Sequence, residues 1–436
     1  MTRKPFFPGL LLCLGYCLIF IILGIIQFSG TGRTVSEKVI DGNPSFNPVN
    51  FTLPQAQNSR DFITYVSRWQ DGNFIAWNRL ISQQNDEDMV IAFAQEALDR
   101  SSYSAAITAI PGAFLTGNRR TYESSVYLGQ LDAAYKSLSV LEQEKLSRLA
   151  NSIQDESGDF LSEPGILDYL TSRGHSDILE ETINLIRSMD PETLTLDIVP
   201  GILEGYNDWK KSGNTADNPF DPLLDRTILE ISESIRINSD RSKVFAVNMD
   251  TIDPVFNIYL GKVLLDWAES EKSESWAGLA RSIIVSVLGL ENYTGFIHSE
   301  YLISPEGEIT ENPDSPRIST ARLYRILDLG EYSPRAASLN IPQNNIWVWT
   351  AGRGVNAVMN GNVIDVSVSF PSGETHYMIF RGIRPFSRIQ LYGMDYRSDP
   401  QFERYDSSGW SYIPAEQTLL VKMKHRTVTE HILIYF

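Results

Sequence analysis

Cysteine is nearly missing from this chain. Among 436 residues there are two, Cys13 and Cys17, both inside one apolar run. A disulfide-stapled scaffold is therefore excluded. Basic residues are also short, with 37 Lys+Arg against 54 Asp+Glu and a formal net charge of −17. Such a chain repels phosphate backbones, so no nucleic-acid binding is expected. There is no P-loop, no HExxH, no G-x-S-x-G and no EF-hand loop, which removes the chemistry those motifs carry. Gly352-x-Gly354-x-x-Ala357 follows a strand, but alternating β residues come next. A dinucleotide site needs a helix there, because the helix N-terminus holds the pyrophosphate. Histidine is scarce: His175, His298, His376, His425 and His431. His425 and His431 would lie roughly 20 Å apart on an extended strand, too far to share an ion. No metal and no cofactor are expected.

What is present is ordinary globular composition, 42% apolar and 21% charged, with room for two or three domains at ~150 residues each. The N-terminus carries the strongest local signal. No charged residue occurs from Phe6 to Phe28. A helix of that length covers about 35 Å, against ~30 Å of hydrocarbon. Arg3 and Lys4 precede it, which orients the N-terminus to the cytoplasm and sends the body across. A cleaved signal peptide fits less well, because its apolar core spans only ~7–15 residues and its cleavage site wants small residues. Residues 1–28 are thus expected to be a cytoplasmic stub and single-pass transmembrane anchor. Residues 29–58, with Gly30, Gly32, Gly42, Pro44, Pro48 and Pro54, read as a tether.

From 59 to 302 the apolar spacing is helical. Leu224, Ile228, Ile231 and Ile235 mark one helix face, and Leu179, Ile183, Ile186 and Met189 another. Leu146, Leu149 and Ile153 make a third stripe. About nine or ten helices are expected, as an irregular array or a closed α/α toroid, interrupted by one strand-like run from Lys243 to Asn248. Residues 303–344 read as a polar linker with a helix near Arg317 to Leu327. From 345 to 436 apolar residues alternate in seven or so short runs. These include Ile346-Trp347-Val348-Trp349, two runs flanking Asn360-Gly361, and His376 to Phe380. That pattern predicts an antiparallel β-sandwich. The expected fold class is a transmembrane helix, an α-helical body and a C-terminal β-sandwich.

Two groups of side chains carry candidate chemistry. Asp221, Asp250 and Asp253 sit at loop–helix junctions, as do Asp217 and Asp225. Paired carboxylates at loop ends are what glycoside hydrolysis requires, and helix capping uses the same residues at the same places. Trp347 and Trp349 share one face of one strand, and Trp410 is near in sequence. Exposed, they would form a stacking platform for sugar rings; buried, they belong to the sandwich core.

The order of helical body, linker and terminal sandwich resembles bacterial carbohydrate-active proteins built on an α/α toroid. Tyr206 to Trp276 is similar to their helical-hairpin texture. GETHYMIFRGIRPFSRIQLYG, from Gly373 to Gly393, resembles accessory β-domains at the ends of some glycoside hydrolases. Together with the anchor read from the N-terminal run, the resemblance implies a membrane-anchored, extracytoplasmic envelope protein that binds a glycan or an envelope protein partner. Its alternative implication is a membrane-tethered glycoside hydrolase-like enzyme, with Asp221, Asp250 and Asp253 supplying acid and base.

Overall fold

The apolar stripes become helices because each has one face to bury. In the computed structural model, which describes residues 51–83, 86–111, 114, 122–213, 216–341 and 345–436, the helices of eight or more residues run as follows. They are α1 (Ser59–Leu80), α2 (Glu87–Asp99), α3 (Leu131–Gln154), α4 (Ile166–Arg173) and α5 (Ser176–Ser188). Then come α6 (Val199–Lys211), α7 (Asp221–Ser234), α8 (Pro254–Ser270), α9 (Glu274–Leu288) and α10 (Thr320–Leu327). Asn58 starts α1 by accepting from the Asp61 N–H, and Asp86 starts α2 by accepting from the Met89 N–H at 2.8 Å. Each satisfies a donor that a first turn otherwise leaves open. Gly174 stops α4 in the left-handed region at φ 73, where a side chain would be strained. Helix α9 is buried at every position from Trp276 to Leu288, the mark of a central helix rather than a surface one.

Short strands are woven through the helical body. β1 (Ile235–Ile237) pairs antiparallel with β2 (Val244–Ala246). β3 (Thr251–Ile252), β5 (Tyr301–Ile303) and β6 (Ile309–Glu311) make a small sheet. β4 (Phe296–His298) pairs with β7 (Arg317–Ser319). Residues 303–317, polar and proline-rich, are thus held by ladder hydrogen bonds. A buried polar chain ties this region to α1. The Trp77 indole N–H donates to Thr320 Oγ1 at 3.1 Å, and Thr320 donates to Asn73 Oδ1. The Asn73 amide in turn donates to the carboxylate of Glu291.

The C-terminal region is two five-stranded antiparallel sheets. The first has the order β10 (Arg353–Asn360), β11 (Val363–Ser369), β17 (Thr429–Tyr435), β13 (Arg388–Leu391), β14 (Met394–Tyr396). The second has the order β15 (Gly409–Ile413), β16 (Thr418–Lys424), β12 (Thr375–Arg381), β9 (Trp347–Thr350), β8 (Arg335–Ser338). Asn360 pairs with Val363, so the hairpin turn is Gly361-Asn362, one residue later than the sequence suggests. Gly361, at φ 59, takes the first central position. Ile364, Val366 and Val368 of the first sheet face Val348, Met378, Phe380 and Val421 of the second across a shared apolar core.

The second sheet is covered on its other face too. Trp347, Trp349, Ile379 and Leu420 join the core formed by α1, α2 and α10. Strand β16 is accordingly buried without interruption from Thr418 to Met423, as a strand covered on both faces must be.

The expected fold class needs correction. It began with a transmembrane helix, but among the described residues no helix is long and apolar enough to cross a membrane. The run Phe6–Phe28 lies outside the described residues. The body holds more strand than the one run expected from Lys243 to Asn248, where β2 lies: β1, β3, β4 and β5 also run through it, and β6 and β7 lie in the expected linker. Ladder pairing captures segments such as Tyr301–Ile303 that are too short to show a period in sequence. The described architecture is helices followed by antiparallel sheets.

Candidate functional site

A cleft of about 480 Å³ opens where the helical body meets the second sheet. Leu141, Lys145 and Arg148 of α3 come to it at steps of four and three, one helix face. Gly165, at φ 68, turns the chain into α4, which brings Asp168, Tyr169 and Arg173 to the opposite wall. Strand β8 supplies Arg335 and Ala336, and β9 supplies Trp349. The Tyr122 and Trp349 rings meet edge-on at 4.7 Å between centroids. These rings form an apolar floor beneath a charged rim.

Arg173 organises the wall. Its Nε donates to Glu142 Oε1 at 2.6 Å, and both side chains are largely buried. Its guanidinium lies 4.4 Å from the Tyr169 ring centre and 4.8 Å from that of Trp347. The flat cation is therefore satisfied by a carboxylate and by ring faces. Burial pushes the Glu142 carboxyl up, and the neighbouring Arg173 opposes this. Burial likewise pushes the Tyr122 hydroxyl up to about 12, again against Arg173. Burial lowers the Lys145 ammonium, while Glu163 favours its charge. Lys145 lies 3.6 Å from Glu163, and Arg148 lies 2.9 Å from the same carboxylate. Arg335 donates to the Gly352 carbonyl at 2.7 Å. The cleft's cations are thus engaged within the protein.

The residues singled out in sequence lie in different places. Asp253 caps α8, accepting from the Val255 and Phe256 N–H groups at 2.7 and 3.0 Å. Asp250 is exposed in the turn between β2 and β3, and its carbonyl accepts from Ile303. Asp221 is the exposed first residue of α7. None of these three lines the cleft. Trp349 is brought to its floor, whereas Trp347 lies behind the lining against Arg173; both are buried. Trp410 points into the sandwich, where its Nε1–H donates to the Tyr396 carbonyl at 2.9 Å.

Glu142, Lys145, Asp168, Tyr169 and Arg173 were not visible as a site in sequence. The available signal was a charged set at helical spacing on α3, together with Tyr169 and Arg173 four apart on α4. Among the described residues no group of three or more His, Cys, Asp and Glu side chains is placed to hold a metal ion. No protein-family model matches this chain, and no curated protein matches it either.

Proposed function

We propose that this is a binding protein whose cleft between helical body and sandwich takes a neutral glycan. The observation that carries this reading is the cleft's lining: rings of Tyr122, Tyr169 and Trp349 below a rim whose cations are already matched by carboxylates or carbonyls. Such a surface offers many hydrogen-bonding groups without a strong field of one sign. Hydroxyl-rich, uncharged ligands suit it, since each hydroxyl both donates and accepts. Polyanions do not suit it, because the chain as a whole carries −17.

Asp168 and Glu144 are exposed cleft residues, so replacing them leaves the core intact. The test is calorimetric titration of the full chain with neutral β- and α-linked oligosaccharides. Asp168→Ala and Glu144→Ala should each weaken binding by about tenfold, the worth of one charge-assisted hydrogen bond. Asp253→Ala, outside the cleft, should leave affinity unchanged. A panel that shows no binding overturns the proposal, as does binding that ignores both cleft variants. Cleavage of a bound oligosaccharide would replace it with a hydrolase.

A further inference from the structure

One end of the sandwich holds two fully buried histidines that the proposed cleft does not use. His376 and His425 each have no measurable exposure. Their ring centres are 5.5 Å apart, and Phe370 stacks on His376 at 4.4 Å. Thr350 Oγ1 lies 2.7 Å from His376 Nε2. The other ring nitrogen of His376, Nδ1, has no hydrogen-bond partner, and neither has Nδ1 or Nε2 of His425. The Thr427 and Val428 carbonyls lie close enough to favour a charged His425 ring, yet neither completes a hydrogen bond to it. Buried polar atoms in folded proteins are nearly always paired, so three such nitrogens in one spot call for a ligand.

The strand register adds sulfur to this set. His376 of β12 lies directly across from Met423 of β16. Side chains two apart on a strand share a face, so Met378 joins His376. The pairing continues past β16, with His425 N–H donating to the Glu374 carbonyl and Gly373 N–H to His425. His425 therefore follows Met423 on that face. His376 and Met423-x-His425 thus place two imidazoles and one thioether together on the inner side of one strand pair, all three buried, while Met378 shares the face but lies four positions, roughly 13 Å, along the pair from His425.

We infer that this His–Met cluster is a binding site for a soft monovalent metal ion, copper(I). Thioether and imidazole ligands select copper(I), whereas zinc sites are built from thiolate, imidazole and carboxylate. No thiolate belongs to this set, and the carboxylate that acts on His425, Glu430, is engaged by the Arg426 and Thr427 N–H groups at 2.8 and 2.7 Å; a single charge is the least costly to bury here. Thr350 fills the role of an outer partner: it engages Nε2 of His376, fixes the ring and leaves Nδ1 for the ion. The site lies just beneath two loop tips, Pro371–Gly373 and Arg426–Val428, where Val428 is 58% exposed. These give the ion a short entry path. The step is coordination alone: nitrogen and sulfur lone pairs are donated, and no bond breaks or electron moves.

The test uses the full chain carrying Cys13→Ser and Cys17→Ser, which removes its two thiols. Copper(I) is titrated without oxygen against a chromophoric copper(I) chelator. The expected result is one retained equivalent and a rise in Tm of roughly 3–5 °C at a hundredfold excess over Kd. Met423→Leu keeps the volume and removes the sulfur, so its metal-free Tm should hold while affinity falls by about tenfold or more. X-ray absorption at the copper edge should show both nitrogen and sulfur neighbours. The inference is overturned if a His376→Gln/His425→Gln chain retains as much copper(I). It is overturned equally if Met423→Leu leaves affinity unchanged with no sulfur at the ion, or if zinc(II) displaces the copper.

Discussion

Replacing Glu291 with Gln should stabilise the protein above neutral pH and do little in acid. Burial lifts this carboxyl from 4.5 to about 7, while the Asn73 and Trp69 side chains beside it pull the other way. In the unfolded chain the group ionises near its ordinary value. Between the two values the folded protein keeps a proton that the unfolded one has lost. Stability therefore falls as pH climbs from 4.5 to about 7, and stays lowered beyond. Each unit of difference is worth about 1.36 kcal/mol, so this displacement amounts to at most about 3 kcal/mol, less whatever water screens. Glutamine keeps an oxygen for the Asn73 amide and cannot ionise. Urea unfolding of both proteins between about pH 5 and pH 8 isolates the effect, because other titrations cancel in the difference. The gain should be small at the acid end and approach about 2–3 kcal/mol at the alkaline end. A gain that does not vary with pH, or a loss of stability at the alkaline end, refutes the reasoning.

Further outcomes follow from close contacts and caps. A Cβ on Gly201 would lie 1.9 Å from the Leu161 carbonyl oxygen; Gly201→Ala should cost at least about 2–3 kcal/mol in thermal or urea unfolding, because backbone cannot yield as a side chain does. Asp253→Ala should cost about 1 kcal/mol and Asp253→Asn only a few tenths, read by the same unfolding curves. Arg173→Ala removes the partner of largely buried Glu142 and should cost about 3–5 kcal/mol, with Glu142→Gln recovering part of it in a double-mutant cycle. A chain of residues 335–436 alone should bind hydrophobic dye and aggregate, because Trp347, Trp349, Ile379 and Leu420 lose the helices that cover them.

Periodicity made the helices legible. The α7 stripe needs no partner to be read, since Ile228 and Ile231 repeat at helical spacing and are buried as that spacing requires. The alternation in Val363–Ser369 is equally plain, because one face of β11 meets solvent and the other the sandwich core. Strand β9 is different. Trp347, Val348, Trp349 and Thr350 are all buried, so sequence gives no inside and outside to tell apart. The tryptophans accordingly read as platform or core, with nothing to say that they face a second body. The cleft was illegible for a related reason. Glu142 and Arg173 meet across two helices, and on either helix alone they look like ordinary surface charge.

Strand β9 also shows why the two candidate sites are not independent. Its outer face carries Trp347 under Arg173 and Trp349 in the cleft floor. Its inner face carries Val348 in the sandwich core and Thr350 against His376. A slip of one residue would exchange these faces, drive both indoles into a core shaped for Val348, and strip the cleft of its floor. The register is held from both sides, by Val348 opposite Phe380 on β12 and opposite Ala337 on β8. Just before the strand, the Asn345 amide donates to the Gly174 carbonyl at 3.0 Å, and a Cβ on Gly174 would lie 2.5 Å from Asn345 Cγ. The glycine that ends α4 therefore does two things. It stops the helix that presents Arg173, and it leaves room for the contact that sets where β9 begins. Position along α4 and register along β9 are fixed at the same point, which is how residues distant in sequence are brought to one cleft.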